Sequence, residues 1–490
     1  MASNAALKTS YEVPQTLLPL WSHQRETVMR ALQYDGFMAA LDMGAGKSAV
    51  GVAVWLAMRA RYTLICCPKS VGAVWPRQFE LFSPVKARIL DLTDDRPVKR
   101  RAKELVEALK LVDLTREPLV VIINYDSVWR DPLGPTYDKR NRIAQPGIIM
   151  SRQWDLVIYD ESHRLKTPSG RASKFATRLR HRAARVLCLT GTPMPHSPLD
   201  IYAQFRAMSP EIFGTLYTSF RSRYAVMGGY EGKQVIGFRD LDVLHDKLYS
   251  RAYRVETKDV VDLPDAFHEV RSCKLCPEAM RVYRALENEM VAQIEAGEIT
   301  ASNALVKLLR LQQICSGHVS TDKQATQWLD HGKARLLADL FDDMPRNEPI
   351  VVFCTFRADL DKVREVAERM IADPMDERKR IIDRPYAELS GRANELIKWQ
   401  ASGANVLGVQ IQAGGLGVDL TRAHYCVYYS TGFNLGNHLQ SQARILRPGQ
   451  KRTVYYYYLQ AERTVDQKVY RALQQKKDVV ESVLRDMVSQ

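Results

Sequence analysis

Short apolar runs recur along the N-terminal part of the chain, at 37–41, 64–67, 88–92, 119–124, 156–159 and 186–189, with stretches of helical spacing between them. Each run is continuous and bounded by turn or charged residues, the pattern of a strand covered on both faces. Alternation of such strands with helices predicts a parallel, doubly wound sheet. A second set begins at 349, with runs at 350–353, 387–389, 406–411, 425–429 and 454–459. Between the two sets the rhythm changes. Aromatic and basic residues dominate from 200 to Asp262-Leu-Pro264; then Met280, Tyr283, Leu286, Met290 and Ile294 share one helical face, followed by Leu305, Leu308, Leu309 and Ile314 on another. The middle section reads as helical, without strands of its own, and a closing helix is expected at 465–488.

Composition narrows the class. A chain of 490 residues exceeds one core, so about two to four domains are expected. No eighteen apolar residues stand together, and Met1-Ala-Ser-Asn-Ala-Ala-Leu-Lys8 has no signal-peptide core, so a soluble, intracellular chain without a membrane span is expected. The eight cysteines fall mostly in strand-like runs, as buried thiols of a reducing compartment do. Cys273-Lys-Leu-Cys276 has metal-ligand spacing, but no second pair follows to complete four ligands, which weighs against zinc. Lys plus Arg number 70 against 56 Asp plus Glu, a formal charge of +14 that suits a polyanion such as nucleic acid or, alternatively, a generally basic surface.

The chemistry begins at Leu41-Asp-Met-Gly-Ala-Gly-Lys-Ser48, between an apolar run and the helical stretch at 49–59. Strand, glycine-rich turn and helix make a phosphate cradle: Gly44 and Gly46 allow the backbone N–H groups to turn inward, and the helix start adds partial positive charge. Lys47 is expected on the outer phosphates of a nucleoside triphosphate and Ser48 on Mg²⁺. Leu41 stands where the strict pattern has its first glycine. Asp160-Glu-Ser-His163 follows the run at 156–159, where carboxylates at a strand's C-terminal end meet ligands. Asp160 would hold Mg²⁺, and Glu161 would orient and deprotonate the attacking water. A polar loop that merely caps the strand is the bland alternative.

These motifs together resemble the core of superfamily-two helicases, and further matches resemble its Swi/Snf branch of double-stranded-DNA translocases. They are Leu189-Thr-Gly-Thr-Pro193 with Leu199 and Tyr202, Leu309-Arg-Leu-Gln-Gln-Ile-Cys315, Gly414-Gly-Leu-Gly-Val-Asp-Leu-Thr421, and Gln440-Ser-Gln-Ala-Arg-Ile-Leu-Arg-Pro-Gly-Gln450. The resemblance implies two RecA-like lobes with parallel sheets, a first lobe over 1–205, a mainly helical insertion over 206–325, a second lobe over 326–462, and a C-terminal helix over 463–490 bracing the lobes. It implies ATP held by Gln24, Met43, Gly44, Ala45, Gly46, Lys47, Ser48, Gly417 and Asp419, with Gln24 reading adenine and Arg444 and Arg447 reaching the triphosphate from the second lobe. An inserted guanidinium stabilises the charge spread over a transferring phosphoryl group.

By the same resemblance, duplex DNA is expected at Lys69, Ser70, Trp75, Asn124 and Tyr125, and at Thr355, Arg357, Gly391, Arg392, Gln412, Gly414 and Gly415, through sequence-independent phosphate contacts. His163, Thr190, Gly191, Thr192 and Gln442 are expected to couple the nucleotide and DNA sites. Pro195-His-Ser-Pro198 departs from the family's asparagine-rich stretch. The basic stretches 171–185 and Lys99-Arg-Arg101 read as solvated helix faces, and 455–458 as a core strand. The expected activity is a DNA-dependent ATPase translocating on duplex DNA. A strand-separating or annealing helicase and a non-hydrolysing DNA-binding scaffold are the alternatives. A compact monomer, almost all motor, resembling bacterial or bacteriophage members, is expected in the cytoplasm, or in the nucleus of a eukaryote.

Overall fold

The computed structural model describes residues 12–137, 143–195, 197–228, 234–256, 262–295, 301–320, 326–368, 370–371, 380–381, 383–411, 418–432 and 434–485. The chain divides into two compact units, one of residues 1–261 with 478–490 and one of residues 262–477.

The first unit is built on seven parallel strands: β1 (Gly36–Leu41), β2 (Tyr62–Cys67), β3 (Arg88–Asp91), β4 (Leu119–Asn124), β5 (Trp154–Asp160), β6 (Ala183–Leu189) and β7 (Ala252–Val255), in the order β7-β1-β6-β5-β2-β4-β3. Helices α1 (Ser22–Leu32), α2 (Lys47–Met58), α3 (Val74–Phe82) and α4 (Val98–Thr115) alternate with the first strands. One face of the sheet shares a core with α1, α2 and α3, in which Val28, Leu41, Val50, Trp55, Ile65 and Phe79 meet. Each such side chain contributes about 1.5–3 kcal/mol by leaving water. α2 is apolar nearly all round, as a helix laid into a core must be.

The order places the C-terminal ends of β1, β6 and β5 side by side. The loops at 42–46, 190–193 and 161–163 therefore leave one edge of the sheet together, where ligands of α/β proteins bind. Register fixes this arrangement: Ala39 pairs with Leu189, and Asp160 with the same Leu189 from the other side.

The second unit repeats the plan with six parallel strands: β8 (Ala266–Cys273), β9 (Ile350–Cys354), β10 (Tyr386–Leu389), β11 (Val406–Gln410), β12 (Tyr425–Tyr428) and β13 (Val454–Ala461), ordered β8-β13-β12-β9-β11-β10. Separate cores lie on its two faces, one around Leu337, Phe341 and Val352, the other around Phe353, Trp399 and Tyr456. The closing helix runs over Val465–Arg485.

The section 206–325 holds the long helices Pro277–Glu295 and Ala301–Cys315 where helical faces were read. It is not free of strands. It carries an antiparallel hairpin of Ala225–Gly228 with Gln234–Phe238, and it supplies an outer strand to each main sheet, β7 to the first and β8 to the second. Both lie at a sheet edge, and β8 is largely exposed, so neither needs the continuous apolar run that marks a strand covered on both faces. Among the described residues no helix is long and apolar enough to cross a membrane.

Candidate active site

The loop after β1 holds its shape through two glycines in the left-handed region, Gly44 at φ 86° and Gly46 at φ 80°. A Cβ on Gly46 would come within 2.1 Å of the Gln24 amide nitrogen, so a side chain there would have to displace Gln24. Gly46 also starts α2, whose first turn carries no acidic residue and so leaves the partial positive charge of the helix open to an anion. Lys47 Nζ donates to the carbonyls of Leu41 (3.1 Å) and Asp42 (3.3 Å), which sets the ammonium across the mouth of the loop. The buried Ala45 carbonyl accepts from Gln24 Nε2 at 3.1 Å and lies 2.9 Å from His23 Nε2.

Gln24 is therefore a clamp. It is 4% exposed, its Oε1 accepts the Trp21 N–H at the start of α1 (2.9 Å), and its Nε2 holds the loop. That differs from the expected open amide reading a base, because the buried side chain meets the backbone at both ends.

Asp160 closes β5 as a buried carboxylate. Its Oδ2 accepts from Trp75 Nε1–H at 3.1 Å, and its carbonyl accepts from the Tyr125 hydroxyl at 2.9 Å. Burial and then the neighbouring Glu161 charge push its pKa up to about 7, against the opposing pull of Lys47 and the Trp75 hydrogen bond. A buried anion short of countercharge fits a divalent cation. Asp160 and Ser48, in the first turn of α2, are the residues that would hold Mg²⁺.

Glu161 adopts φ 53°, a left-handed conformation that costs a non-glycine residue about 1 kcal/mol or more and that collects at functional sites. Its Oε2 lies 3.3 Å from His163 Nδ1, which in turn lies 3.2 Å from Thr190 Oγ1. Thr190 Oγ1 accepts the Thr192 N–H at 3.1 Å, while Thr192 Oγ1 is buried without a hydrogen-bond partner among the described residues. A Cβ on Gly191 would stand 3.2 Å from the Leu41 carbonyl and 3.4 Å from Met43 N, so this turn packs against the phosphate loop. Glu161, His163, Thr190, Gly191 and Thr192 are thus brought together beside Lys47.

One member of the cluster gave no sequence signal. Gln204, fully buried on the helix Ile201–Met208, accepts from Ser162 Oγ (2.8 Å) and donates to the Pro193 carbonyl (2.6 Å), tying the loop after β5 to the loop after β6.

In the second unit, the helix Leu435–Gln442 leads into Arg444, which is buried, and Arg447, which is half-buried. Gln450 ties this segment to the preceding one by donating to the carbonyls of Thr421 (3.1 Å) and Ala423 (2.8 Å). Gln442 Nε2 donates to Tyr458 Oη at 2.9 Å, and Tyr456 Oη donates to the Gln442 carbonyl at 2.9 Å, so β13 positions this residue through its buried tyrosines. Asp419 is exposed, and its carboxylate accepts from Thr421 N (2.9 Å) and Oγ1 (2.7 Å). That is a local turn. Gln412, Gly414, Gly415 and Gly417 lie outside the described residues.

The SNF2-related domain matches residues 19–319, and the helicase conserved C-terminal domain matches residues 332–449. The chain belongs to the SNF2 family of helicase-like ATPases. It is 26% identical over 482 residues to a SWI/SNF-related matrix-associated actin-dependent regulator of chromatin subfamily A-like protein 1 homolog of Caenorhabditis elegans, a match over 96% of this chain and 62% of that one. It is 25% identical over 535 residues to the human DNA excision repair protein ERCC-6, covering 99% of this chain and 34% of the relative. Putative protein p41 of Acyrthosiphon pisum secondary endosymbiont phage 1 is 24% identical over 445 residues, with 87% and 88% covered. The chain thus spans about three fifths of the worm relative and a third of the human one. Among solved structures, the Sulfolobus solfataricus SWI2/SNF2 ATPase core in complex with dsDNA aligns over 97% of this chain and 95% of its own, at 21% identity and a TM-score of 0.43.

The SNF2-type loops expected at DNA divide into exposed and buried groups. Lys69 is exposed and ion-paired with Asp95. Ser70 lies in the short turn Lys69–Val71, its side chain outside the described ones. Trp75, Asn124 and Tyr125 depart from the expected DNA contact. All three are buried, Trp75 completely, so their side chains cannot meet a DNA backbone. Trp75 and Tyr125 turn instead to Asp160, and Asn124 Nδ2 donates to the Thr93 carbonyl at 3.3 Å.

In the second unit, Thr355 N donates to Ser430 Oγ (2.8 Å), while exposed Arg357 approaches exposed Gly391, whose Cβ would stand 3.8 Å from the guanidinium. Arg392 is engaged with Glu388 and Asp361, which lowers its availability to a phosphate. Two basic residues read as solvated are structural. Arg101 is buried and donates to the Leu92 carbonyl and Ser127 Oγ (both 2.9 Å), and buried Arg185 donates to the Ala31 carbonyl at 2.6 Å.

Proposed function

We propose that this SNF2-family chain hydrolyses ATP in a DNA-dependent manner and uses the energy to translocate along double-stranded DNA. The observation that carries the reading is the convergence of Lys47, Asp160, Glu161, His163 and Thr190 at the C-terminal edge of the first sheet.

Lys47 and the loop N–H groups bind the β- and γ-phosphates, and Ser48 with Asp160 would hold Mg²⁺, which when bound would supply positive charge to the phosphoryl oxygens. Glu161 orients the attacking water and accepts its proton. Through His163 the Glu161 carboxylate is linked to Thr190, so the loop after β6 registers the state of the water-activating group. Arg444 and Arg447 are the guanidinium groups assigned, by the family resemblance, to the γ-phosphate. Duplex DNA is engaged through Lys69, Ser70, Thr355, Arg357 and the 390–392 turn, on phosphates, without base reading. The net charge of +14 favours that partner.

The test is ATP turnover with blunt duplex, single-stranded and no DNA. Stimulation by duplex supports the reading, and equal rates in all three refute it. Displacement of a triplex-forming strand without separation of the duplex distinguishes translocation from strand separation. Absence of any turnover would leave a DNA-binding scaffold as the reading.

A further inference from the structure

Trp75 and Tyr125 leave the sheet on different segments, after β2 and after β4, yet each sends its polar tip to the same residue. The Trp75 indole packs beside Gly51 of α2, where a Cβ would come within 2.9 Å of the ring, and against Phe79. This fixes the plane of the ring and aims Nε1–H at Asp160 Oδ2, 3.1 Å away. The Tyr125 hydroxyl reaches the Asp160 carbonyl at 2.9 Å. Satisfying buried polar tips is not a general rule in this core: Trp55 Nε1 and Tyr159 Oη are buried without partners among the described residues. Two aromatic donors converging on one carboxylate residue therefore ask for a reason beyond packing.

We infer that Trp75 is a positioning residue for the metal-holding Asp160, with Tyr125 bracing the same residue through its backbone. The indole N–H occupies one lone-pair direction of Oδ2 and fixes the rotation of the carboxylate, so the cation meets an oriented ligand. Metal ligands held by outer hydrogen bonds bind more tightly than free ones, by about 10–100-fold. The inference rests on the nucleotide site proposed above.

The experiment compares the full chain with Trp75→Phe, Tyr125→Phe and Asp160→Asn, measuring affinity for fluorescently labelled ADP with and without Mg²⁺, alongside thermal melting and the Mg²⁺ dependence of ATP turnover. Wild type is expected to bind the nucleotide more tightly with Mg²⁺. In Trp75→Phe that tightening falls about tenfold, as loss of a hydrogen bond to a charged acceptor does, while Mg²⁺-free affinity is unchanged and half-saturation by Mg²⁺ rises by about the same factor. Tyr125→Phe, nearly isosteric, shifts half-saturation about threefold and lowers melting by a few degrees, as loss of one buried hydrogen bond does. Wild-type Mg²⁺ dependence in a folded Trp75→Phe chain overturns the inference. Should Trp75→Phe not fold, unchanged Mg²⁺ dependence in Tyr125→Phe overturns it. A wild-type chain showing no Mg²⁺-assisted nucleotide binding would instead refute the proposed nucleotide site.

Discussion

Replacing Gly46 by alanine tests the cradle at its tightest point. Two costs can be worked from the geometry. Alanine at φ 80° loses about 1–2 kcal/mol against glycine. The new Cβ, 2.1 Å from Gln24 Nε2, also evicts an amide that makes one hydrogen bond to Ala45 O and one from Trp21 N, each worth about 1 kcal/mol. The cradle conformation should therefore be disfavoured by roughly 3–4 kcal/mol, which lowers nucleotide affinity by at least about a hundredfold. Gln24→Ala removes only the two hydrogen bonds and should cost roughly tenfold or more. The decisive measurement is the double variant, titrated with labelled ADP at fixed Mg²⁺. Since the clash and the lost hydrogen bonds are the same atoms, the double variant should bind about as well as Gly46→Ala alone, a coupling of about 2 kcal/mol. Strict additivity of the two single effects would refute this account of the clamp.

Four further outcomes are expected. Lys47→Ala should abolish ATP turnover and weaken triphosphate binding more than diphosphate binding, measured with labelled nucleotides. Glu161→Gln should lower turnover by at least about a hundredfold while nucleotide affinity stays near wild type, and wild-type turnover would remove Glu161 from the water. Asp359 is completely buried and accepts from Ser430 Oγ (2.5 Å) and Phe356 N (3.3 Å), with His318 Nε2 at 3.1 Å, so Asp359→Ala should destabilise the second unit by about 3–5 kcal/mol in thermal unfolding. The folded chain holds the Asp160 proton up to about pH 7, whereas an unfolded aspartate releases it in the ordinary carboxylate range. Asp160 therefore withdraws stability as pH rises between those values. Without Mg²⁺ and nucleotide, Asp160→Asn should be increasingly stabilising across that interval and level off above pH 7, as melting at stepped pH would show.

Strands buried on both faces were legible because burial leaves one signature, a continuous apolar run, and β1, β2, β4, β5 and β6 all carry it. The outer strands β7 and β8 were not. In β8, Ala-Phe-His-Glu-Val-Arg-Ser-Cys exposes most of its side chains and so resembles a polar connection. Residues of the phosphate loop could be named because each follows from phosphate chemistry. Trp75 shows where that logic stops. Its neighbours Lys69 and Ser70 suggest a polyanion, but Trp75 and Phe79 stand one turn apart on α3, and that spacing marks the face turned into the core. The conformation of Glu161 and the bridge through Gln204 depend on how three loops meet, which no single stretch of sequence records.

β7 has a consequence for how the chain is made. β1, which bears the phosphate loop, is flanked on one side by β6 and on the other by β7, so Met38 pairs with both Cys188 and Ala252. During synthesis every other strand of the first sheet emerges before β7. Until residues 252–255 arrive, the apolar Gly-Phe-Met-Ala-Ala-Leu of β1 is an open sheet edge, the kind of surface on which nascent chains pair wrongly. The oldest strand of the nucleotide site is thus sealed by the youngest, and ribosome-bound chains stopped short of 252 should be the aggregation-prone stage of biosynthesis.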